Sequence, residues 1–280
     1  MTSIADALKL AATRLSGYSG SPRLDAEVLL GHVLGLGRAA LVAADTTGLC
    51  DERAAAFDGL VRRRLAGAPV AYLTGRREFW SLDLCVSPAV LVPRPETETL
   101  VALALERLAP RGAAAVLDLG TGSGAIALAI AGERPEARVT GSDVSAAALE
   151  VAAANGRRLS LGNVRWRLGS WFDAVPGERF DLIVANPPYV AAGDPALAAL
   201  AAEPALALTP GPGGLEAFAA IAAAAGAHLR GAATILLEHG ADQGPAVAGL
   251  LETHGFRQIH THHDDAGAPR VTLATLPTAN

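Results

Sequence analysis

The feature that most constrains the fold is a rhythm of strand, glycine turn and helix that repeats after residue 112. Short apolar runs such as AAAVLDLG, ARVTGSD and FDLIVANPPY alternate with helical patterns such as SGAIALAIAGER and SAAALEVAAANGRRL. This alternation predicts a mainly parallel sheet with helices on both faces. The last two runs, FRQIHTHHD and PRVTLATL, are joined closely and predict an antiparallel edge. Ligands of such sheets bind at the carboxyl ends of the strands.

The chain before residue 75 has a different, helical pattern. Apolar residues recur at helical spacing over residues 4–15, 23–34, 38–42 and 51–66. The face that the first helix is expected to bury consists of Ile4, Ala7, Leu8, Ala11, Ala12 and Leu15. Residues 78–92, EFWSLDLCVSPAVLV, alternate around Ser87-Pro88 and predict a hairpin or extended connector. We therefore expect a helical domain at 1–75, a connector at 76–95 and an α/β domain at 96–280.

Composition excludes several classes of protein. Hydrophobic residues make up 51% of the chain and charged residues 18%, so a sizeable core can form and global disorder is excluded. A net charge of −5 argues against a protein that coats nucleic acid by charge alone. Cys50 and Cys85 lack ligand-type spacing, and HTHHDD at 260–265 is interpreted as a solvated strand end, so no metal site is expected. Without a secretion signal or a long apolar run, a cytoplasmic protein with no membrane segment is expected.

A glycine loop and an aspartate mark the expected ligand edge of the sheet. The loop between the first strand and its helix consists of Gly120, Thr121, Gly122, Ser123 and Gly124. Glycines allow backbone N–H groups to approach a ligand, although a purely structural tight turn has the same composition. Asp143 closes the next strand at the distance expected for a carboxylate that binds both hydroxyls of a ribose, and it could also cap a helix. The pair favours an adenosine-containing cofactor but does not separate NAD from S-adenosylmethionine.

Two further residues are candidates for contact with this cofactor. Trp171 follows the third strand, where an indole could cover an adenine ring; a core tryptophan is the alternative. Asp118, at the end of the first strand, could bond the amino group of the cofactor or brace the glycine loop.

The fourth strand ends in an unusual turn made of Asn186, Pro187, Pro188 and Tyr189. A structural turn commonly has Gly or Asp with one proline, whereas two prolines remove backbone donors and leave carbonyls as acceptors. The side-chain oxygen of Asn186 and the carbonyl of Pro187 could accept both hydrogens of one NH2 group, with Tyr189 stacked on the substrate. Holding both N–H bonds would turn the nitrogen lone pair toward an electrophile such as a sulfonium methyl group.

These segments resemble a known family. VLDLGTGSGAIALA, SDVSAAAL, GSWF and NPPYV look like the class I amino-methyltransferases, which have a Rossmann-like fold. REFWSLDLCVSPAVLVPRPETETLV is similar to the PrmC/HemK protein-(glutamine-N5) methyltransferases. The resemblance runs from about residue 71 to the end, and the helical segment before it suits that family's substrate-recognition domain. It implies methyl transfer from S-adenosylmethionine, with S-adenosylhomocysteine as product, to the glutamine of the GGQ motif in peptide chain release factors.

The resemblance also implies roles for individual residues. The glycine loop, Asp143, Trp171 and Asn186 would contact the methyl donor, while Asn186 to Tyr189 would hold the substrate amide. After the turn, Glu203-Pro204 is present among alanines. The implied partner is a release factor, with no membrane and no stable nucleic-acid complex. Three alternatives stay open: the same chemistry on a ribosomal-protein glutamine or a nucleic-acid adenine, an NAD-dependent oxidoreductase, and a non-catalytic adenosine-binding module.

Overall fold

The computed structural model describes residues 2–109 and 112–277. The chain divides into two compact units, Met1–Arg76 and Arg77–Asn280. Each unit buries apolar side chains of its own. None of the helices in the described ranges combines the length and apolar character that a bilayer crossing requires.

The first unit is helical, as predicted. Its helices are α1 (Ile4–Leu15), α2 (Pro22–Leu34), α3 (Arg38–Ala43), α4 (Asp51–Leu65) and α5 (Val70–Thr74). The hydroxyl of Ser3 accepts a hydrogen bond of 3.1 Å from the backbone N–H of Asp6, which caps α1. The buried residues of α1 are Ile4, Leu8, Ala11 and Leu15, all of them on the predicted face. The short α5 was not predicted, because five residues are too few to show a helical period.

The connector contains a two-stranded hairpin, β1 (Arg76–Phe79) and β2 (Leu82–Cys85), as one of the two predicted alternatives. Its turn lies at Trp80-Ser81, not at Ser87-Pro88. Both turn residues have positive φ, +50° and +59°, which is the geometry of a tight hairpin turn that usually selects Asn or Gly. Carboxylates stabilise the strained backbone: the N–H of Trp80 donates to Glu98 (2.9 Å), and the N–H of Ser81 donates to Glu78 (2.9 Å).

The second unit contains a seven-stranded sheet. Its strands are β3 (Ala115–Leu119), β4 (Arg138–Asp143), β5 (Val164–Leu168), β6 (Phe180–Ala185), β7 (Leu229–Glu238), β8 (Arg257–His263) and β9 (Pro269–Thr275). Their order is β5-β4-β3-β6-β7-β9-β8. All neighbouring pairs from β5 to β7 are parallel, whereas β9 runs antiparallel to both β7 and β8. The predicted antiparallel pair therefore lies at one edge, with β8 outermost.

Helices cover both faces of this sheet, as predicted. They are α6 (Glu98–Arg107), α7 (Ala125–Glu133), α8 (Ala146–Arg158), α9 (Ala196–Ala199), α10 (Glu216–Ala225) and α11 (Gly244–Thr253). Val116 of β3 packs in one apolar cluster with α6 and α7, and its neighbour Leu117 packs in a second cluster with α10 and α11. Such alternation along a strand is what burial on both faces requires. The chain runs from β3 outward to β5 and then returns to β6 beside β3, which creates a topological switch point at the carboxyl edge.

Candidate active site

A cavity of about 500 Å³ opens at the carboxyl edge of the sheet, within the second unit. The loops that follow β3, β4, β5 and β6 all contribute to its lining. Residues 89–97 and 204–217 contribute the remaining walls. Predicted residues from four separate strand ends, among them Gly122, Asp143, Trp171 and Asn186, thus line one cavity, as parallel pairing of the strands requires.

The glycine loop forms one wall of the cavity. Gly120, Gly122 and Gly124 have φ values of +70°, +55° and +83°, a backbone region that other residues rarely adopt. A Cβ atom on Gly122 would meet no heavy atom within 4 Å, so open space lies beside its backbone. The loop is held from behind, where the N–H of Thr121 donates to the carbonyl of Ser142 (2.8 Å).

Asp143 lies beside this loop and lines the cavity. Its Oδ2 accepts a hydrogen bond from the N–H of Gly122 (2.9 Å), and its Oδ1 accepts one from the N–H of Ser145 (2.9 Å). Ser145, not Asp143, caps α8, because its hydroxyl accepts from the N–H of Ala148. Each carboxylate oxygen of Asp143 still has acceptor capacity for a ligand hydroxyl.

Asp118 does not line the cavity; its contacts brace the glycine loop, and the alternative contact with a cofactor stays a prediction. The side chain is fully buried under the loop. Its Oδ2 accepts from the hydroxyl of Thr121 (2.6 Å) and from the N–H of Ala127 (3.2 Å). Burial raises the pKa of Asp118 to about 7, with a smaller contribution from the charge of Asp143, while the two hydrogen bonds lower it.

This raised pKa predicts a dependence of stability on pH. The stabilising effect of the neutral Asp118 carboxyl is complete below about pH 4 and is lost as pH rises through the folded-state value of about 7. We expect the melting temperature of the wild type, relative to that of Asp118→Asn, to fall by about 3 °C or more between pH 5 and pH 8. Thermal melts of both proteins across this range would test it. A difference that stays constant with pH would contradict it.

Trp171 lines the cavity together with Gly169 and Ser170, and it also packs partly against the apolar cluster around α10. The position of Trp171 is therefore compatible with contact to an adenine ring and with a role in the core. A second tryptophan, Trp166 on β5, had not been singled out. A Cβ atom on Gly141 would approach the Trp166 ring to 2.5 Å, and one on Gly124 would approach it to 2.9 Å. The indole of Trp166 can therefore occupy its place only because positions 124 and 141 are glycine.

The asparagine turn forms another part of the cavity lining. Asn186 and Pro188 line the cavity, whereas Pro187 and Tyr189 do not. Tyr189 packs against the apolar cluster around α10, and its carbonyl accepts from the side chain of Gln243 (3.0 Å), which anchors the turn. Tyr189 is only partly buried, and its predicted stacking on the substrate stays a prediction.

Two buried carboxylates lie near the cavity: Glu203, from the Glu203-Pro204 pair noted in the sequence, and Glu238, which had not been singled out. Glu203 accepts from the N–H of Val92 (3.0 Å) and forms an ion pair with Arg94, which lines the cavity. This pair joins the PRPETE connector to the Glu203-Pro204 segment. Glu238 ends β7 and is 1% exposed; burial raises its pKa to about 7, whereas hydrogen bonds from Thr97 and Asn186 lower it. Thr97 in turn accepts a hydrogen bond from Nδ2 of Asn186 (3.2 Å).

The described residues contain no group of three or more His, Cys, Asp or Glu side chains arranged to hold a metal ion.

The chain is similar to known methyltransferases in its domains, its sequence and its fold. Residues 6–75 match the family described as the PrmC N-terminal domain, and residues 97–212 match the methyltransferase small domain. A release factor glutamine methyltransferase from Xylella fastidiosa is 51% identical over 91% of this chain and 94% of that protein. One from Bordetella pertussis is 48% identical over 90% of this chain and 94% of that protein. A solved methyltransferase from Pyrococcus furiosus shares the fold, with a TM-score of 0.55 at 20% identity over 78% of this chain and 98% of that one.

Proposed function

Because the chain belongs to the release factor glutamine methyltransferase family, we propose that it methylates the glutamine of the GGQ motif in a peptide chain release factor. The methyl donor in this proposal is S-adenosylmethionine, and the product is S-adenosylhomocysteine. The observation that carries the proposal is a single cavity lined both by the glycine loop with Asp143 and by Asn186.

The residues on one side of the cavity fit the donor. The carboxylate oxygens of Asp143 can accept from two ribose hydroxyls, and the open space beside Gly122 admits a ligand close to the backbone. Trp171 offers an aromatic face to the adenine. When bound, S-adenosylmethionine supplies an electrophilic methyl group on a positively charged sulfur. Thr121, Ser123 and the other loop residues shape the wall against which it lies.

The residues on the other side fit a primary amide. The Oδ1 atom of Asn186 accepts one N–H of the substrate glutamine, and we assign the other N–H to the carbonyl of Pro187, whose neighbours on both sides line the cavity. Holding both bonds directs the nitrogen lone pair toward the methyl group. In the transfer the carbon–sulfur bond breaks, the nitrogen–carbon bond forms, and a proton leaves the nitrogen for solvent. No covalent bond to the enzyme is needed.

The first unit is proposed to recognise the release factor, since residues 6–75 match the PrmC N-terminal domain. Release factors act in the cytoplasm, so we place the enzyme there. A net charge of −5 favours a protein partner over a stable nucleic-acid complex.

One assay tests the proposed function. The protein is incubated with methyl-labelled donor and a purified release factor, and the labelled residue is identified by mass spectrometry. We expect label on the GGQ glutamine, and none on a release factor in which that glutamine is replaced by glutamate. Total RNA, DNA and ribosomal protein serve as competing substrates. Label on these, and none on the glutamine, would refute the proposal.

A further inference from the structure

The side chain of Asn186 can perform its proposed role in only one of two orientations. An asparagine amide has an acceptor oxygen at one end and a donor NH2 at the other. Only the oxygen can hold a substrate N–H, because an NH2 group turned toward the cavity would face the substrate NH2 donor to donor. The rate of transfer therefore depends on whatever fixes the orientation of this amide.

The strand register places a buried carboxylate beside Asn186. Ala185 of β6 pairs with Leu237 of the parallel strand β7, so the next residues along the two strands, Asn186 and Glu238, are neighbours. Thr97, which is 4% exposed, lies against the same amide, with its Oγ1 at 3.2 Å from Nδ2 of Asn186. Neither Thr97 nor Glu238 was singled out by its surrounding sequence.

The donors and acceptors of these three side chains are compatible with one arrangement. Asn186 donates to Thr97 (3.2 Å), and both side chains are close enough to Glu238 to lower its pKa. An ionised carboxylate only accepts, so it favours the orientation in which the NH2 group of Asn186 is on the side of Thr97 and Glu238. A flipped amide would bring its oxygen against the carboxylate, acceptor to acceptor. The remaining polar atom of Asn186, Oδ1, is then left for the cavity that this residue lines.

We propose that Glu238 and Thr97 are positioning residues that hold the amide of Asn186 with Oδ1 toward the cavity, ready to accept the substrate N–H. This inference rests on the proposed function and extends it to Thr97, which lines the cavity, and to Glu238, which lies behind Asn186 and does not line it.

The orientation of the Asn186 amide is expected to depend on whether Glu238 is ionised. Its Oε2 has no hydrogen-bond partner among the described residues, so few contacts offset the cost of burying the charged carboxylate. The charged and titratable groups around it are Arg270 of β9, which favours the ionised form, Glu96 before α6, which opposes it, and Tyr189 after β6. Once protonated, Glu238 can donate a hydrogen bond, and the flipped orientation of Asn186 is no longer penalised.

Substitutions at Thr97 test the positioning role. We expect Thr97→Val to lower kcat by about 30-fold, Thr97→Ser to stay within about threefold of wild type, and the donor Kd to change by less than about twofold in both. Thr140→Val is a matched control: Thr140 is equally buried, accepts from Arg165 and lies outside the cavity lining. Its kcat is expected to stay within about twofold of wild type. A Thr97→Val enzyme that keeps its kcat, or that loses donor affinity as steeply as rate, overturns the proposal.

A pH profile tests Glu238 independently, including the case in which Thr97→Val does not fold. We expect the wild-type kcat to fall by about tenfold as pH decreases through about 7, where Glu238 takes up a proton, and then to level off. Glu238→Gln can donate at every pH, so it should be slower by about tenfold at pH 8 and should lack the acidic limb. An acidic limb that persists in Glu238→Gln belongs to another group and overturns the proposal. If the wild type labels no release factor glutamine, it is the proposed function that fails, whatever these variants do.

Discussion

Asn186→Ala is expected to lower kcat by about 1,000-fold or more while the Kd for S-adenosylmethionine rises by less than about threefold. Asn186 lines the same cavity as Asp143, and its amide oxygen is the acceptor proposed to hold the substrate N–H. Without it, the glutamine nitrogen loses both its orientation and the electrostatic help that directs its lone pair. Single-turnover kinetics with labelled donor would measure the rate, and calorimetry would measure the affinity.

The matched control for this substitution is Asn163→Ala. Asn163 donates to the carbonyls of Ala131, Arg134 and Ala137 and lies outside the cavity lining. Its loss should lower the melting temperature and leave kcat within about twofold at temperatures where the protein is folded. If Asn186→Ala retained a near-normal rate, or if both variants slowed equally, the proposed grip on the substrate amide would be wrong.

Asp143→Asn is expected to have the opposite signature, raising the donor Kd by about 100-fold while kcat at saturating donor stays within about threefold. In the variant an NH2 group replaces one of the two carboxylate oxygens. This group cannot accept a hydrogen bond from the N–H of Gly122 or Ser145 or from a ribose hydroxyl. Loss of charge-assisted hydrogen bonds at about 1.5–3 kcal/mol each accounts for a change of this size. Calorimetric titration with S-adenosylhomocysteine measures it without turnover.

Asp181→Asn provides the comparison for Asp143→Asn. Asp181 is at the amino-terminal end of β6, bonds the N–H of Ala115 and Arg230, and does not line the cavity. Its substitution should leave the donor Kd within about twofold. Equal loss of affinity in the two variants would mean that Asp143 acts through the stability of the sheet and not by contact with the ribose.

The residues of the site that could be predicted are those that follow directly after a predicted strand of the parallel sheet. Asp143 and Asn186 each end an apolar run, and the carboxyl ends of parallel strands share one edge, so their proximity followed from the alternation of strands and helices. The glycine loop was recognisable for the same reason. These predictions needed no knowledge of which strand lies beside which.

The missed residues depend on information that a local pattern does not contain. Glu238 is a neighbour of Asn186 only because β7 lies beside β6, and Thr97 reaches the same amide from 89 positions earlier in the chain. The Trp80-Ser81 turn was misplaced because its positive-φ backbone is stabilised by Glu98, a distant carboxylate, and not by turn-forming residues. The contact of Tyr189 with the apolar cluster around α10 was likewise not predictable from its place in the motif.

The contact between Trp166 and the glycines around it has a consequence for how this sequence can change. Gly141 on β4 and Gly124 at the start of α7 leave the space that the indole occupies, and a methyl group at either position would overlap the ring. A smaller side chain at position 166 would remove that overlap but leave a void. It would not free the two glycines, because Gly124 keeps a φ of +83° and a Cβ atom on Gly141 would still approach the hydroxyl of Thr121 to 2.8 Å. Gly124 and Gly141 are therefore constrained twice, by the indole and by the glycine loop itself. A library that varies all three positions together should still return glycine at 124 and 141, whatever replaces Trp166.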